Sequence, residues 1–395
     1  MSKNPRVAGV GMIPFTKPGQ NEDWDVMGEK AVRLALEDAG IGYDQVQQAY
    51  VGYVYGDTTA GQSVIYRVGM TGIPVVNVNN ACATGSTALY LARQMVELGA
   101  ADCVLAVGFE QMTPGAIGSV YNDRKHSSES LAMAMIDLQG FDPQVPFAAQ
   151  QFGGGGLDYQ KRYGAKDETF ARISVKARQH AANNPLAIFR DPLTVEEVMA
   201  SKHLYGPITR YQACPPTCGA AAAVIVSPAF AAKHGLDASV EIKGQAMTTD
   251  PESSFGSASM MKVIGYDMAK ESARQAYEMA GIGPEDAQVV ELHDCFTANE
   301  LITYESIGLC PEGGAEQFIL DGDNTYGGKY VVNPSGGLLS KGHPLGATGL
   351  AQCYELTNQT RGTADKRQVD GVTHAIQHNL GLGGACVVTV YGKSA

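Results

Sequence analysis

The sequence predicts an α/β fold made of two similar βαβαβ-type halves, with a subdomain inserted into the first. Three observations carry this expectation. Strand-like and helix-like runs alternate up to about residue 110, the rhythm breaks between 111 and 212, and it resumes at 220 and continues to the end. At 395 residues the chain is too long for one ordinary core and suits two such units. The expected boundaries are 1–110 plus 213–238 for the first half, 111–212 for the insertion and 239–395 for the second half.

The first half opens with a strand over 6–11 and an amphipathic helix from Asp23 to a glycine cap at Gly40. Strand-like runs follow at 48–55, 72–78 and 102–108, and between the last two lies a helix-like run from Ala83 to Leu98. Such alternation implies parallel pairing in a sheet covered by helices on its faces. The 111–212 stretch is polar and irregular apart from helical pieces at 167–183 and 194–201, and its length without a βα rhythm reads as a subdomain. Its Gly153–Gly156 run has neither a leading strand nor a closing Lys-Ser/Thr, so it reads as a flexible hinge and not as a phosphate cradle. The first sheet resumes at 220–227. The second half then carries strands at 240–247, 287–292, 371–378 and 385–391, with helices at 267–280, 299–307 and 348–358.

Chemistry concentrates where strands hand over to helices. Asn79-Asn80-Ala81-Cys82-Ala83-Thr84-Gly85-Ser86-Thr87 sets a thiol at the start of a helix. There the free amides and the helix dipole stabilise a thiolate, lower the thiol pKa and could hold an oxyanion. A buried structural cysteine is the competing reading. Asn333-Pro334-Ser335-Gly336-Gly337-Leu338-Leu339-Ser340-Lys341-Gly342-His343-Pro344-Leu345-Gly346-Ala347-Thr348-Gly349 places a histidine in a glycine-rich bend before the 348–358 helix, and His293-Asp294-Cys295-Phe296 follows a strand end. Ligands on α/β sheets gather at strand ends of this kind. Asn379 to Ala385 (NLGLGGA) precedes a strand and not a helix, so it reads as a turn admitting close backbone approach and not as a dinucleotide loop.

Composition narrows the field. The eight cysteines are scattered through a long chain, which argues for free thiols; Cys214 and Cys218 alone are close, too little for zinc, and no metal is expected. A net charge of −12 speaks against nucleic acid as a partner. No apolar run approaches the roughly 18 residues of a membrane span, and the opening lacks a signal-peptide pattern, which points to an intracellular protein. An anionic ligand needs local basic residues, and Arg124 and Lys125 in Asn122-Asp123-Arg124-Lys125-His126 are candidates.

Taken together, the Cys82, HDCF and His343 motifs resemble the thiolase superfamily, and specifically its sterol-carrier-protein type, which carries HDCF where other thiolases carry NEAF. The resemblance spans essentially the whole chain. It implies an acyl-CoA C-acyltransferase that cleaves 3-oxoacyl-CoA with coenzyme A, giving acetyl-CoA or propanoyl-CoA and a shortened acyl-CoA, in fatty acid or sterol side-chain β-oxidation. By this resemblance Cys82 is the nucleophile and His343 its base. His293 joins His343 in donating to the thioester oxygen, Cys295 is the acid that protonates the departing carbanion, and the amides of Cys82 and Gly383 bind the tetrahedral oxyanion. Ser335, Gly336 and Gly337 shape the bend and could line the pantetheine channel. Coenzyme A enters as a substrate and no tightly bound cofactor is implied. The family also implies a homodimer or dimer of dimers, in cytoplasm or peroxisome, although Lys393-Ser394-Ala395 is not a peroxisomal address. Two departures stand out. Gly381 occupies the place of the second reactive cysteine of other thiolases, and Cys218-Gly219-Ala220-Ala221 replaces the usual Asp-Gly-Ala-Ala. The alternatives are a lyase or condensing enzyme of the same fold acting on a steroid-like CoA ester, and a noncatalytic lipid-binding protein.

Overall fold

A computed structural model describes residues 4–115, 117–119, 121 and 123–394, so Asn122 and Ala395 lie outside the described residues. Runs of Val, Ala and Gly with almost no charge form the inner strands: Cys103–Glu110 and Gly219–Val226 are buried along their full lengths, as strands covered on both faces must be.

In the first half the chain runs β1 (Arg6–Met12), α1 (Trp24–Ala39), β2 (Gln48–Gly52), α2 (Ala60–Val68), β3 (Val75–Val78), α3 (Thr84–Glu97) and β4 (Cys103–Glu110). Helices α4 (Glu129–Gln139), α5 (Phe147–Tyr163), α6 (Asp167–Ala181) and α7 (Val195–Ala200) and the hairpin β5 (His203–Tyr205) and β6 (Ile208–Thr209) intervene before β7 (Gly219–Val226) and α8 (Pro228–His234). The second half opens with β8 (Val240–Thr248), α9 (Glu252–Gly256), α10 (Met260–Val263) and α11 (Tyr266–Ala280). It continues through β9 (Val289–Glu291), α12 (Thr297–Ser306), α13 (Ala315–Leu320), β10 (Val331–Val332) and α14 (Gly337–Ser340). It closes with α15 (Thr348–Arg361), β11 (His374–Gly381) and β12 (Ala385–Lys393).

The strands lie in the order β10-β9-β11-β12-β8-β1-β7-β4-β2-β3. Each half therefore repeats one plan, its strands standing third, second, fourth, fifth, first, so the likeness that residue identity hides is carried by topology. Parallel pairing holds for β2 with β3 and β4, and for β9 with β10 and β11. The all-parallel expectation fails at the fifth strand of each half: β7 is antiparallel to β4 and β1, and β12 to β11 and β8. The reason is clearest at β11 and β12, whose tight turn can only reverse the chain. The halves meet where Arg6 faces Glu241 across β1 and β8, and the two side chains form a buried ion pair.

Two helices at the centre position the site. Helix α3 follows Cys82 and α15 follows His343, at matching places in the two halves, and their apolar faces share one core that includes Ala88, Leu89, Ala92, Leu350 and Ala351. Their N-terminal ends touch through glycine: a Cβ on Gly85 would lie 2.7 Å from the Gly346 carbonyl, and one on Gly349 would lie 2.2 Å from Ser86 Oγ. No side chain fits there, so both helix starts converge on one point.

Gly153–Gly156 is not a hinge. The run lies buried within α5, where a Cβ would strike the Tyr205 carbonyl at 2.6 Å, the Gln139 side chain, Ile264 and Pro207 respectively. The glycines serve close packing on every side of the helix, which a local reading of composition does not register. Thr194 caps α7 through a reciprocal pair with Glu197. Among the described residues, no helix is long and apolar enough to cross a membrane.

Candidate active site

Cys82 sits directly before the N-cap Ala83 of α3, on a turn held tightly. Ala81 takes φ 48°, a left-handed conformation rare for alanine. The Thr84 hydroxyl donates to the Ala81 carbonyl (2.5 Å) and accepts from the Asn80 amide (2.9 Å). The residue as a whole is half-buried, with its thiol turned inward.

His343 is fixed at both ends. Its backbone N–H donates to Thr217 Oγ1 (3.1 Å), and its Nδ1 lies 2.7 Å from Thr348 Oγ1. The Thr348 hydroxyl donates to the Pro344 carbonyl (3.0 Å). Having one proton, it must accept from the histidine, which puts the hydrogen on Nδ1 and a lone pair on Nε2. That Nε2 is buried and has no protein partner among the described residues.

His293 comes from the junction of β9 and α12. Its amide donates to His378 Nδ1 (3.4 Å), its carbonyl accepts from Asn299 Nδ2, and its Nδ1 lies 3.0 Å from Asn379 Nδ2. The fold brings it to the other two: one ligating atom from each of Cys82, His293 and His343 lies within 4.8 Å of the others. The two imidazoles meet edge to face, with centroids 5.0 Å apart and planes at 85°. A thiol beside an imidazole lone pair can be deprotonated for attack, and a second imidazole alongside can steady an oxyanion.

Electrostatics corrects one expectation. Burial, then the Glu110 carboxylate, push the Cys82 thiol up to about 12, opposite to the lowering expected from its helix start. Burial also drives the His343 imidazole down to about 3, and it drives His293 well below the ordinary range, with His343 and His378 adding to the effect. The resting pair is therefore a neutral thiol beside a neutral imidazole, and a thiolate arises by proton transfer to Nε2 as attack proceeds.

Cys295 is buried beside the cluster, where burial, Cys214, Cys82 and Asp294 hold its thiol well above the usual range. Ser335, Gly336 and Gly337 form the inner support of the bend. Ser335 Oγ donates to Glu291 Oε2 (2.8 Å) and accepts from Lys341 Nζ (2.8 Å), while Gly336 and Gly337 take positive φ. A Cβ on Gly337 would lie 2.1 Å from Asp294 Oδ2, and Asp294 accepts from the amides of Leu338 and Leu339. The side chains of Ser335 and Asp294 are thus hydrogen-bonded inside the protein. Gly383 lies in the exposed β11–β12 turn at φ 91°, with Ser128 Oγ 3.3 Å from where its Cβ would be. Arg124 pairs with Asp123 and stacks on Tyr121, and Lys125 pairs with Glu129; both are exposed on the inserted segment that reaches Gly383. The Cys214 amide donates to the Cys295 carbonyl (2.9 Å), and Cys218 Sγ donates to the Met112 carbonyl. Gly381 has no room for a side chain, since a Cβ would lie 2.2 Å from the Asn80 carbonyl.

Four supporting residues have no role assigned by the motifs, although Thr348 lies within the His343 stretch and Asn379 opens the NLGLGGA stretch. Thr348 orients His343, and Asn379 links Cys82 and His293. His378 receives the His293 amide. Glu110 accepts from Val54, Tyr55 and Gly346 amides (3.0, 3.1 and 3.1 Å), tying the loop after β2 to the His343 bend. The Gln377-His378-Asn379 polar run inside a buried strand was the available signal for two of them.

Comparison with known proteins identifies the family. The family profile "Thiolase, N-terminal domain" matches residues 7–204, and "Thiolase C-terminal domain-like" matches 252–393. The chain is 53% identical to "Sterol carrier protein 2" of Homo sapiens over 389 residues, covering 98% of this chain and 71% of that protein. It is 46% identical to "Non-specific lipid-transfer protein-like 2" of Caenorhabditis elegans (98% and 95%) and 37% identical to "Benzoylsuccinyl-CoA thiolase subunit BbsB" of Thauera aromatica (96% and 94%). Among solved structures, the "Ltp2-ChsH2(DUF35) aldolase" superposes with a TM-score of 0.84 at 25% identity, over 99% of this chain and 98% of that one.

Proposed function

The chain belongs to the thiolase family, and from that premise we propose that it cleaves 3-oxoacyl-CoA thioesters with coenzyme A through an acyl-cysteine at Cys82. The observation that carries the proposal is the convergence of Cys82, His293 and His343 within 4.8 Å, with His343 Nε2 unpartnered.

In the first half-reaction the Cys82 thiol gives its proton to His343 Nε2 and its sulfur attacks the C3 ketone carbon, with amides of Cys82 and Gly383 receiving the oxyanion. The C2–C3 bond breaks as the ketone reforms as a thioester to Cys82. The bond's electron pair passes to C2 as the enolate of the leaving CoA ester, whose oxygen accepts from His293 and from protonated His343. Cys295, kept protonated by its burial, gives C2 a proton. In the second half-reaction the Cys295 thiolate takes the proton of a fresh CoA thiol, whose sulfur attacks the acyl group. Cys82 leaves and recovers its proton from His343. The kinetics are ping-pong. Arg124 and Lys125 offer positive charge to the CoA phosphates, and Ser335, Gly336 and Gly337 serve by shaping the His343 bend. The halves are 1–110 with 213–238 and 239–395, with 111–212 the inserted loop domain. The protein works as a homodimer or dimer of dimers on fatty or sterol side-chain esters.

Cys82→Ala should abolish thiolysis, with CoA-ester binding by calorimetry largely intact; substantial residual turnover would overturn the nucleophile assignment. The aldolase neighbour supports a second reading, carbon–carbon cleavage without acyl transfer. Product analysis separates them, because a lyase releases a free carbonyl compound and no new acyl-CoA.

A further inference from the structure

We propose that Asn379 is a positioning residue that locks His293 in the tautomer with its hydrogen on Nε2 and at the same time pins the peptide of Cys82. The inference rests on the thiolase reading for its catalytic meaning, though not for its geometry.

The amide orientation of Asn379 follows from its neighbours. One terminal atom of the side chain lies 3.1 Å from the Cys82 carbonyl oxygen, which can only accept, so that atom is the NH2 group. The same NH2 lies 3.0 Å from His293 Nδ1. Nδ1 must therefore carry a lone pair, and in the neutral ring the hydrogen sits on Nε2. Burial keeps the ring neutral. Asn379 is itself fully buried, and its Oδ1 has no partner among the described residues. Turning the amide over would give Oδ1 the His293 ring only by setting it against the Cys82 carbonyl, and an orphaned buried oxygen held in this way marks a site whose geometry is fixed by its neighbours.

The consequence is a division of labour between two neutral histidines. Thr348 leaves His343 Nε2 as an acceptor, suited to take the Cys82 proton. Asn379 makes His293 Nε2 a donor, suited to an enolate oxygen and unable to compete for that proton. One side chain on β11, in the second half, thereby sets the nucleophile's backbone in the first half and the donor state of His293.

Histidine-selective 15N NMR of the full-length protein near pH 7 reads the tautomer directly, with the His293 resonance assigned by its loss in His293→Gln. The expected result is a protonated Nε2 and a bare Nδ1. A hydrogen on Nδ1 would overturn the proposal, and since this requires only the unaltered site it holds whether or not Asn379 variants fold. In Asn379→Asp, whose carboxylate can only accept at Nδ1, the hydrogen should move to Nδ1 or the ring should become cationic. Thiolysis kcat should drop about 100-fold with KM for the acyl-CoA changed less than about threefold. An Asp variant with wild-type tautomer and kcat would also overturn it. If wild-type shows the expected tautomer but no thiolysis, the thiolase reading fails and the lock stands.

Discussion

His293 and His343 face each other edge to face at 5.0 Å beside Cys82, yet their ring nitrogens are committed differently. His343 Nδ1 is bound by Thr348 Oγ1, which leaves Nε2 bare, whereas His293 Nδ1 is bound by Asn379. Two like residues at one thiol thus have unlike partners behind them.

Thr348→Val tests the His343 side of this relationship. Valine keeps the shape and removes the acceptor, so the buried Nδ1–H loses its partner and the ring loses its preferred tautomer. Folding stability should fall by about 1–3 kcal/mol in urea denaturation, and kcat by about 10–100-fold with KM little changed. Unchanged kcat would show that the hydroxyl does not orient the base.

Gly381→Ala tests the space behind the nucleophile. The new methyl would meet the Asn80 carbonyl at 2.2 Å and the Ala83 amide at 2.9 Å, which forces the Cys82 turn outward. A loss of about 1–3 kcal/mol is expected, together with slowed alkylation or acylation of Cys82 followed by mass spectrometry. The same crowding leaves no room for a cysteine side chain at this place.

Glu110 gives a pH signature. Burial raises its carboxyl from 4.5 to about 7, against the lowering effect of the Tyr55, Val54 and Gly346 amides. Between those values the folded protein holds a proton that the unfolded chain has released. This group's contribution therefore falls as pH rises through the window and is constant above about 7. The full change is on the order of 3 kcal/mol. Glu110→Gln lacks this titration, so the stability advantage of wild type over the variant, measured by urea denaturation, should shrink from pH 5 to pH 7. A constant difference would contradict the raised carboxyl.

The motif loops were legible because chemistry demanded a recognisable local pattern: a thiol before a helix, a histidine in a glycine bend, HDCF after a strand. The roles of Thr348 and Asn379 were not, although both lie within the quoted stretches, since each acts through a contact whose meaning depends on where the fold sets a partner, in the case of Asn379 nearly three hundred residues away in sequence at Cys82. Gly153–Gly156 misled for a related reason. Its glycines answer to neighbours on other elements, and a composition reading assigns them to flexibility. The direction of the Cys82 shift was misjudged because a helix start favours the thiolate while burial disfavours it, and only the packed structure shows which effect is larger. The antiparallel fifth strands escaped because alternation reveals the order of elements, whereas the sense of a strand depends on how its connection returns.

The most direct measurement is intact and peptide mass spectrometry after mixing the protein with a 3-oxoacyl-CoA and no free coenzyme A. The expected result is an acyl adduct on the peptide containing Cys82 that disappears when coenzyme A is added, with a matching acyl-CoA released. Substrate bound and unchanged, or cleaved with Cys82 unmodified, would contradict covalent catalysis at Cys82.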